Sequence, residues 1–252
     1  MARREFSAVV LDLFDTLVRW DAGRLPTIQW RGRTLKSTVP WLMPQLKPAM
    51  DGRFDLAAFL DSYQAVLSEI AAARASEDAI EITCLERFAR TLARLGLDER
   101  EAQPLAERLS RAHMAGVRRV TWTPEERAWA VRRMAPFYRL GLLSNFDDSR
   151  TGREILLDTG VSHLFEAVII SADLGLRKPN PRIFAHMLGM LGVAPGEILF
   201  VGDTPEHDVA GAMRAGMRTA WIAAGRDAVA QGVPAPDFIV NDLDGLPAIL
   251  GC

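Results

Sequence analysis

From about residue 121 onward the chain alternates short apolar runs with stretches closed by glycine, and that alternation leaves few folds open. Phe137–Ser144 (FYRLGLLS), Ala167–Ser171 (AVIIS), Ile198–Val201 (ILFV), Arg218–Ala223 (RTAWIA) and Phe238–Val240 (FIV) read as strands. Helices are expected between them over Thr123–Ala135, Thr151–Thr159, Asn180–Leu191 and Glu206–Ala215. Thr123 as N-cap with Pro124 in the first turn opens the first helix, and Pro181 opens the third. Gly160, Gly192 and Gly216 close the last three. Strands separated by helices at this spacing predict an α/β fold: a doubly wound parallel sheet with helices on both faces and Phe238–Val240 at an edge. A further strand stands far upstream, in AVVLDLFDTLV (Ala8–Val18), where apolar residues run straight into Asp12.

The residues between break this pattern. Arg24–Leu46 is rich in Pro and Trp, and TIQWRGRTLKS (Thr27–Ser37) reads as a small hairpin turning at Arg31-Gly32. After Gly52 an apolar face recurs at helical spacing through Phe54, Phe59, Tyr63, Val66 and Ile70. Further helices are expected over Thr83–Leu95 and Glu99–Arg118, separated by Gly96. The expected organisation is a core of residues 1–18 and 121–252, with residues 19–120 forming a mainly helical inserted cap that carries a hairpin near 27–37.

Composition narrows the partners. Half of the 252 residues are apolar, the net charge is −2 and the isoelectric point is about 6.1, so no polyanion-binding face is expected and nucleic acid is not a partner. No apolar run reaches the ~20 residues of a membrane span, and MARREF leads into a strand without a signal-peptide core. Cys84 and Cys252 make neither a disulfide framework nor a metal set, which fits a reducing, cytoplasmic setting. A monomer or homodimer acting on a small molecule is the expectation.

Four polar groups fall at or just beyond strand ends: Asp12, Ser144-Asn145, Lys178 in LRKPNP, and Asp203 with Asp208 in GDTPEHD. Right-handed parallel winding gathers such positions into one crevice. The set suits attack on a phosphoryl group. Asp12 is a nucleophile of the carboxylate kind, Lys178 supplies fixed positive charge, and Ser144 with nearby main-chain amides supplies donors. Three carboxylates together call for a cation, and hard oxygen ligands favour Mg²⁺.

With these motifs in order, the chain strongly resembles the haloacid dehalogenase superfamily. The segments that carry the resemblance are VVLDLFDTLV, LLSNFD, LRKPNPRIF and ILFVGDTPEHDVAGAMRAGM, and the insert resembles the smaller helical cap of that superfamily. The resemblance implies a Rossmann-like core, hydrolysis through an aspartyl-phosphate at Asp12, and a loop positioned by Thr16. It implies that Ser144, Asn145 and Lys178 bind the phosphoryl oxygens and that Lys178 orients Asp12. It further implies Mg²⁺ held by Asp12, the main-chain carbonyl of Phe14 and Asp203, with Asp208 in support.

One position departs from the resemblance. Phosphatases of this superfamily usually carry Asp two residues after the nucleophile, as general acid and base; here it is Phe14. Asp15 follows, but in extended backbone a one-residue shift points a side chain to the other side. Phe14 therefore keeps two rivals beside a phosphatase of small phosphorylated metabolites: a metal-independent 2-haloacid dehalogenase, whose halide needs no proton, and a non-catalytic protein that binds phosphate and Mg²⁺. His113, His207, Trp30, Trp41 and Met43 are read as packing or solvated residues, and Arg24, Arg33 and Lys36 as solvated charge.

Overall fold

The structure, a computed structural model, describes residues 5–50, 52, 54–76 and 78–252. The first four residues of the MARREF start lie outside it. The chain divides into two compact units: residues 1–20, 77–81 and 122–252 in one, and residues 21–76 and 82–121 in the other. The segment 77–81, which lies inside the expected insert, groups with the sheet-bearing unit.

In chain order the first unit opens with β1 (Ala8–Leu11) and the short strand β2 (Arg19–Trp20). The second unit contains the hairpin β3 (Thr27–Trp30) and β4 (Arg33–Lys36), then α1 (Val39–Ala49), α2 (Leu56–Arg74), α3 (Cys84–Arg94) and α4 (Glu99–Arg119). After the short β5 (Thr121–Trp122), the first unit resumes with α5 (Glu125–Met134), β6 (Arg139–Ser144), α6 (Ser149–Asp158), β7 (Phe165–Ile170), α7 (Ser171–Leu174) and α8 (Pro181–Leu191). It closes with β8 (Ile198–Gly202), α9 (Ala210–Arg214), β9 (Arg218–Ile222), β10 (Phe238–Val240) and α10 (Leu246–Leu250).

Six strands form one parallel sheet in the order β10-β9-β8-β1-β6-β7, with Phe238–Val240 at an edge. The winding proceeds from β1 to β6 and β7, then returns to the other side of β1 for β8, β9 and β10. The crevice where the winding reverses lies beyond the C-terminal ends of β1 and β8, the place where open α/β sheets bind ligands. Every residue of β1 is buried, because both faces of the sheet are covered. Ala8 and Val10 pack in one cluster with Phe184, Met187 and Leu191 of α8 and with Phe200 of β8. This central strand has little room to move, and it ends on Asp12. Among the described residues no helix is long and apolar enough to cross a membrane.

The second unit is built around its own aromatic stack. Phe59, Tyr63 and Phe88 follow one another at 6.0 and 5.6 Å between ring centroids, and His113 meets Phe88 edge-on. His113 shares a 2.6 Å hydrogen bond with the Thr38 hydroxyl, and burial first, then the nearby Arg87, pushes its pKa down to about 3. A neutral, enclosed imidazole of this kind is a packing residue, as the sequence suggests. The hairpin turns where expected, with Arg31 at φ 46° and Gly32 at φ 72°, the paired left-handed conformations of a type I′ turn. Lys36 is less free than solvated charge: its ammonium donates to the carbonyls of Gly23 and Leu25.

Local structure adds to these expectations and corrects some of them. Residues 39–49, for which no element is expected from sequence, form a helix although Pro40, Pro44 and Pro48 recur there. Pro40 sits in the first turn, where no donor is needed, while Val39, Leu42 and Leu46 are buried along one face. The helix expected from Thr123 starts at Glu125 with Pro124 as its N-cap, and no side chain caps it. The helix expected over Glu206–Ala215 is two pieces, a wide π turn over Pro205–Val209 followed by α9.

Candidate active site

The crevice gathers the groups expected from sequence. A cavity of about 200 Å³ is lined by Asp12, Phe14, Asp15, Asn145, Arg177, Lys178, Asp203, Thr204, His207 and Asp208. Oxygens of Asp12, Asp203 and Asp208 lie within 4.8 Å of one another.

Asp12 is held at the strand end by its amide, which donates to the Val201 carbonyl at 2.9 Å. Its side chain is buried, and Oδ1 accepts from the Lys178 ammonium at 2.7 Å. Burial pushes the carboxyl up to about 7, with Asp208 and Asp203 adding to the rise and Lys178 opposing it. The chain then turns back on itself: the amides of Leu17 and Val18 both donate to the Leu13 carbonyl. Thr16 lies within this turn and is fully buried.

Lys178 reaches Asp12 and Asp208 at the same distance, 2.7 Å, with its ammonium also 5.3 Å from the Phe200 ring centroid. Burial by itself would lower the Lys178 pKa, but the two carboxylates outweigh it and hold the amine above its ordinary value. Lys178 is therefore a permanent cation, set between two of the three acids.

Asp203 follows β8, and burial, then Asp208 and Asp15, raise its carboxyl to about 6. The Trp221 indole and the Arg226 guanidinium both donate to its main-chain carbonyl, at 3.1 and 2.7 Å. Asp208 sits on the π turn and accepts from the Thr204 amide at 3.0 Å. It lies so close beneath Gly202 that a Cβ there would fall 2.2 Å from the Asp208 carboxylate, so only glycine fits. The wide turn at Pro205–Val209 brings Asp208 inward; π turns of this sort recur at functional sites.

At the end of β6, the buried Ser144 hydroxyl has no hydrogen-bond partner within the protein. An unsatisfied buried donor is costly in a plain core and is expected where a ligand completes it. Asn145 lines the cavity beside Asp12 and Lys178. Its carboxamide spans the Lys178 backbone, accepting from the amide at 2.7 Å and donating to the carbonyl at 2.9 Å. The side chain thus braces the Lys178 loop, with one carboxamide N–H beyond these two bonds.

Phe14 stands at the cavity wall, its ring 4.9 Å from that of Phe146. Asp15 departs from the extended-backbone expectation. It adopts φ 55°, which turns its side chain into the same cavity, near enough to raise Asp203. Trp221, Arg226 and Arg177 were not singled out from sequence. For Trp221 and Arg226 the only available signal was position, at and just beyond the end of a strand.

A family model described as "HAD-hyrolase-like" matches residues 175–246. The phosphoserine phosphatase of Thermus thermophilus is 32% identical over 244 residues, covering 93% of this chain and 95% of that one. Among solved structures, a 2-haloacid dehalogenase from Pseudomonas syringae superposes with a TM-score of 0.69 at 22% identity, covering 98% of each chain. A HAD phosphatase from Thermococcus onnurineus does so with a TM-score of 0.63 at 23% identity over the same share. Both structural likenesses concern the fold, whereas the near-full-length Thermus relationship carries the descent: the chain belongs to the haloacid dehalogenase superfamily of hydrolases and is an enzyme of the phosphatase kind.

Proposed function

We propose that the protein hydrolyses small phosphorylated metabolites through an aspartyl-phosphate at Asp12, with Mg²⁺ as its resident cation. The observation that carries this reading is the charge arrangement: one ammonium placed between Asp12 and Asp208, with Asp203 alongside. Three carboxylates against one lysine leave negative charge uncompensated, and that charge adds to burial, the larger cause, in raising the Asp12 and Asp203 pKa values. An all-oxygen donor set with a charge deficit fits a hard divalent cation. Asp12, Asp203, Asp208 and the Phe14 carbonyl would hold it, and it would supply charge neutralisation at the phosphoryl oxygens.

The chain's own groups support the rest. Lys178 fixes the rotation of the Asp12 carboxylate through Oδ1. An Asp12 oxygen attacks phosphorus, and the bond to the leaving oxygen breaks with its electron pair going to that oxygen. The Ser144 hydroxyl and the main-chain N–H of Asn145 donate to the phosphoryl oxygens as charge develops there. Water then attacks the phosphorus of the acyl phosphate, releasing phosphate and restoring the carboxylate. Phe14 has no proton to give, so the first step favours substrates whose leaving oxygen departs readily as an anion. The helical unit of residues 21–76 and 82–121 would act as the cap that chooses among them.

The test is a panel of an acyl phosphate, p-nitrophenyl phosphate, simple alkyl phosphates and short 2-haloacids, each with Mg²⁺ and with EDTA. Phosphate release that requires Mg²⁺, strongest with the first two substrates, is expected. Halide release in EDTA would overturn the proposal in favour of dehalogenation, and phosphate binding without turnover would leave a binding protein.

A further inference from the structure

Residues 78–81 return to the sheet-bearing unit between α2 and α3, and they meet the loop that carries Lys178. The Arg177 amide donates to the Ala79 carbonyl and the Glu81 amide to the Gly175 carbonyl, each at 2.9 Å, with Ile80 and Leu176 paired antiparallel between them. The Asn180 side-chain amide donates to the Asp78 carbonyl at 2.5 Å. The short segment therefore lies along the Lys178 loop, joined to it by one antiparallel bridge.

Glu81 carries the side-chain part of this contact. Its carboxylate is buried, and both of its oxygens lie 3.2 Å from Nη1 of Arg177. One of them also accepts from the Ser171 hydroxyl at 2.6 Å. Ser171 Oγ in turn accepts from the Phe146 amide at 2.8 Å, and the Phe146 ring is the one stacked on Phe14. On the far side of the loop, Asn145 clamps the Lys178 backbone. One carboxylate thus ties the residue before Lys178, through Ser171, to Phe146, two residues after Ser144.

We propose that Glu81 is a positioning residue for catalysis. It holds the Lys178 loop against the end of β6, and so sets the ammonium between Asp12 and Asp208. The proposal rests on the reading of Lys178 as the group that orients Asp12. A shift of the lysine by even a fraction of its contact distance affects the attacking step more than the binding of substrate, because that step depends on near-attack geometry.

The variants are Glu81→Ala, Glu81→Gln and Ser171→Ala. Turnover of p-nitrophenyl phosphate with Mg²⁺ and hydrogen exchange of the peptide spanning residues 175–180 are measured on the full chain. Glu81→Ala is expected to lower kcat by about 10–100-fold, in line with other residues that orient a reacting group from behind, with KM changed by less than about 3-fold. Glu81→Gln keeps an acceptor for Ser171 without the charge and is expected to recover part of the loss. Both Glu81 variants should exchange the loop amides faster, and Ser171→Ala should match Glu81→Gln in direction if Glu81→Ala fails to fold. Unchanged kcat in folded Glu81→Ala, or unchanged loop protection, overturns the proposal. A wild-type protein silent on every phosphate ester refutes the functional reading instead, and loop exchange then decides the role of Glu81 alone.

Discussion

Replacing Asp12 with Asn should abolish turnover and at the same time stabilise the metal-free protein. Asp12 has its pKa raised to about 7 from the ordinary 3.8, chiefly by burial. An acid whose folded pKa lies above its unfolded value keeps its proton longer when folded. Its contribution to stability therefore falls as pH rises from 3.8 toward 7, and the full penalty is present above that. Taking 3.8 for the unfolded chain and 7 for the folded one, the linkage relation gives a penalty of about 4 kcal/mol at pH 8 and about 2 kcal/mol at pH 5. Asn carries no charge and escapes the penalty at both. Lys178 does not lose its only partner in the variant, because Asp208 stays 2.7 Å away. The cost of an orphaned buried cation, roughly 3–5 kcal/mol, is thereby avoided.

The assay is thermal unfolding of wild type and Asp12→Asn in EDTA at pH 8 and pH 5, followed by titration with Mg²⁺. The variant should melt higher than wild type in EDTA at pH 8, and the gain should shrink at pH 5. Added Mg²⁺ should raise the wild type more than the variant, since a ligand stabilises by its affinity for the folded state and the variant lacks one carboxylate. A variant that melts at or below wild type at pH 8, or one whose gain is the same at both pH values, would refute the account of Asp12 as a buried carboxylate whose charge Lys178 only partly compensates.

Three further substitutions probe the neighbouring groups. Ser144→Ala removes a buried hydroxyl that has no protein partner, so stability should change by less than about 1 kcal/mol while kcat falls by about 10²-fold or more, read from chemical denaturation beside steady-state kinetics. Gly202→Ala puts a Cβ 2.2 Å from an Asp208 oxygen, so it should weaken Mg²⁺ binding measured by calorimetry and reduce phosphatase activity with it. Phe14→Asp should raise turnover of simple alkyl phosphates by roughly 10²-fold, the low end of what a general acid gives, and change p-nitrophenyl phosphate little; equal effects on both substrates would remove leaving-group protonation as the explanation of Phe14.

Much of this architecture is legible in the sequence because local signals and the global fold agree. AVVL ending on Asp12, RLGLLS ending on Ser144 and ILFVG ending before Asp203 are each strands whose burial pattern and polar terminus say where the crevice lies. Where local and tertiary signals conflict, the tertiary one wins. Three prolines argue against a helix at residues 39–49, yet burial of Val39, Leu42 and Leu46 on one face holds it there. The helical pattern near Asp208 hides a wide turn, because a hydrophobic period cannot register one extra residue in a turn. Asp15 escaped an argument based on extended backbone because its φ is 55°. Glu81 had no signal at all. It lies 90 residues from Ser171 and 96 from Arg177, in a stretch whose sequence belongs to the insert, and only the fold joins them.

These placements give Phe14 a physical meaning. Phe14 lines the same cavity as the carboxylates and Lys178, and its ring is stacked on Phe146, whose amide is fixed through Ser171 to Glu81. That wall is built into the hydrogen-bond network, and it offers no donor to the leaving group. An aspartate introduced at position 14 would take one ring out of a packed aromatic pair, so the gain in turnover expected of Phe14→Asp would come with a loss of stability. On the mechanism proposed above, a ring at position 14 with no proton to give is matched to a leaving group that carries its own charge away, as acyl phosphates and esters of acidic alcohols do and simple alkoxides do not.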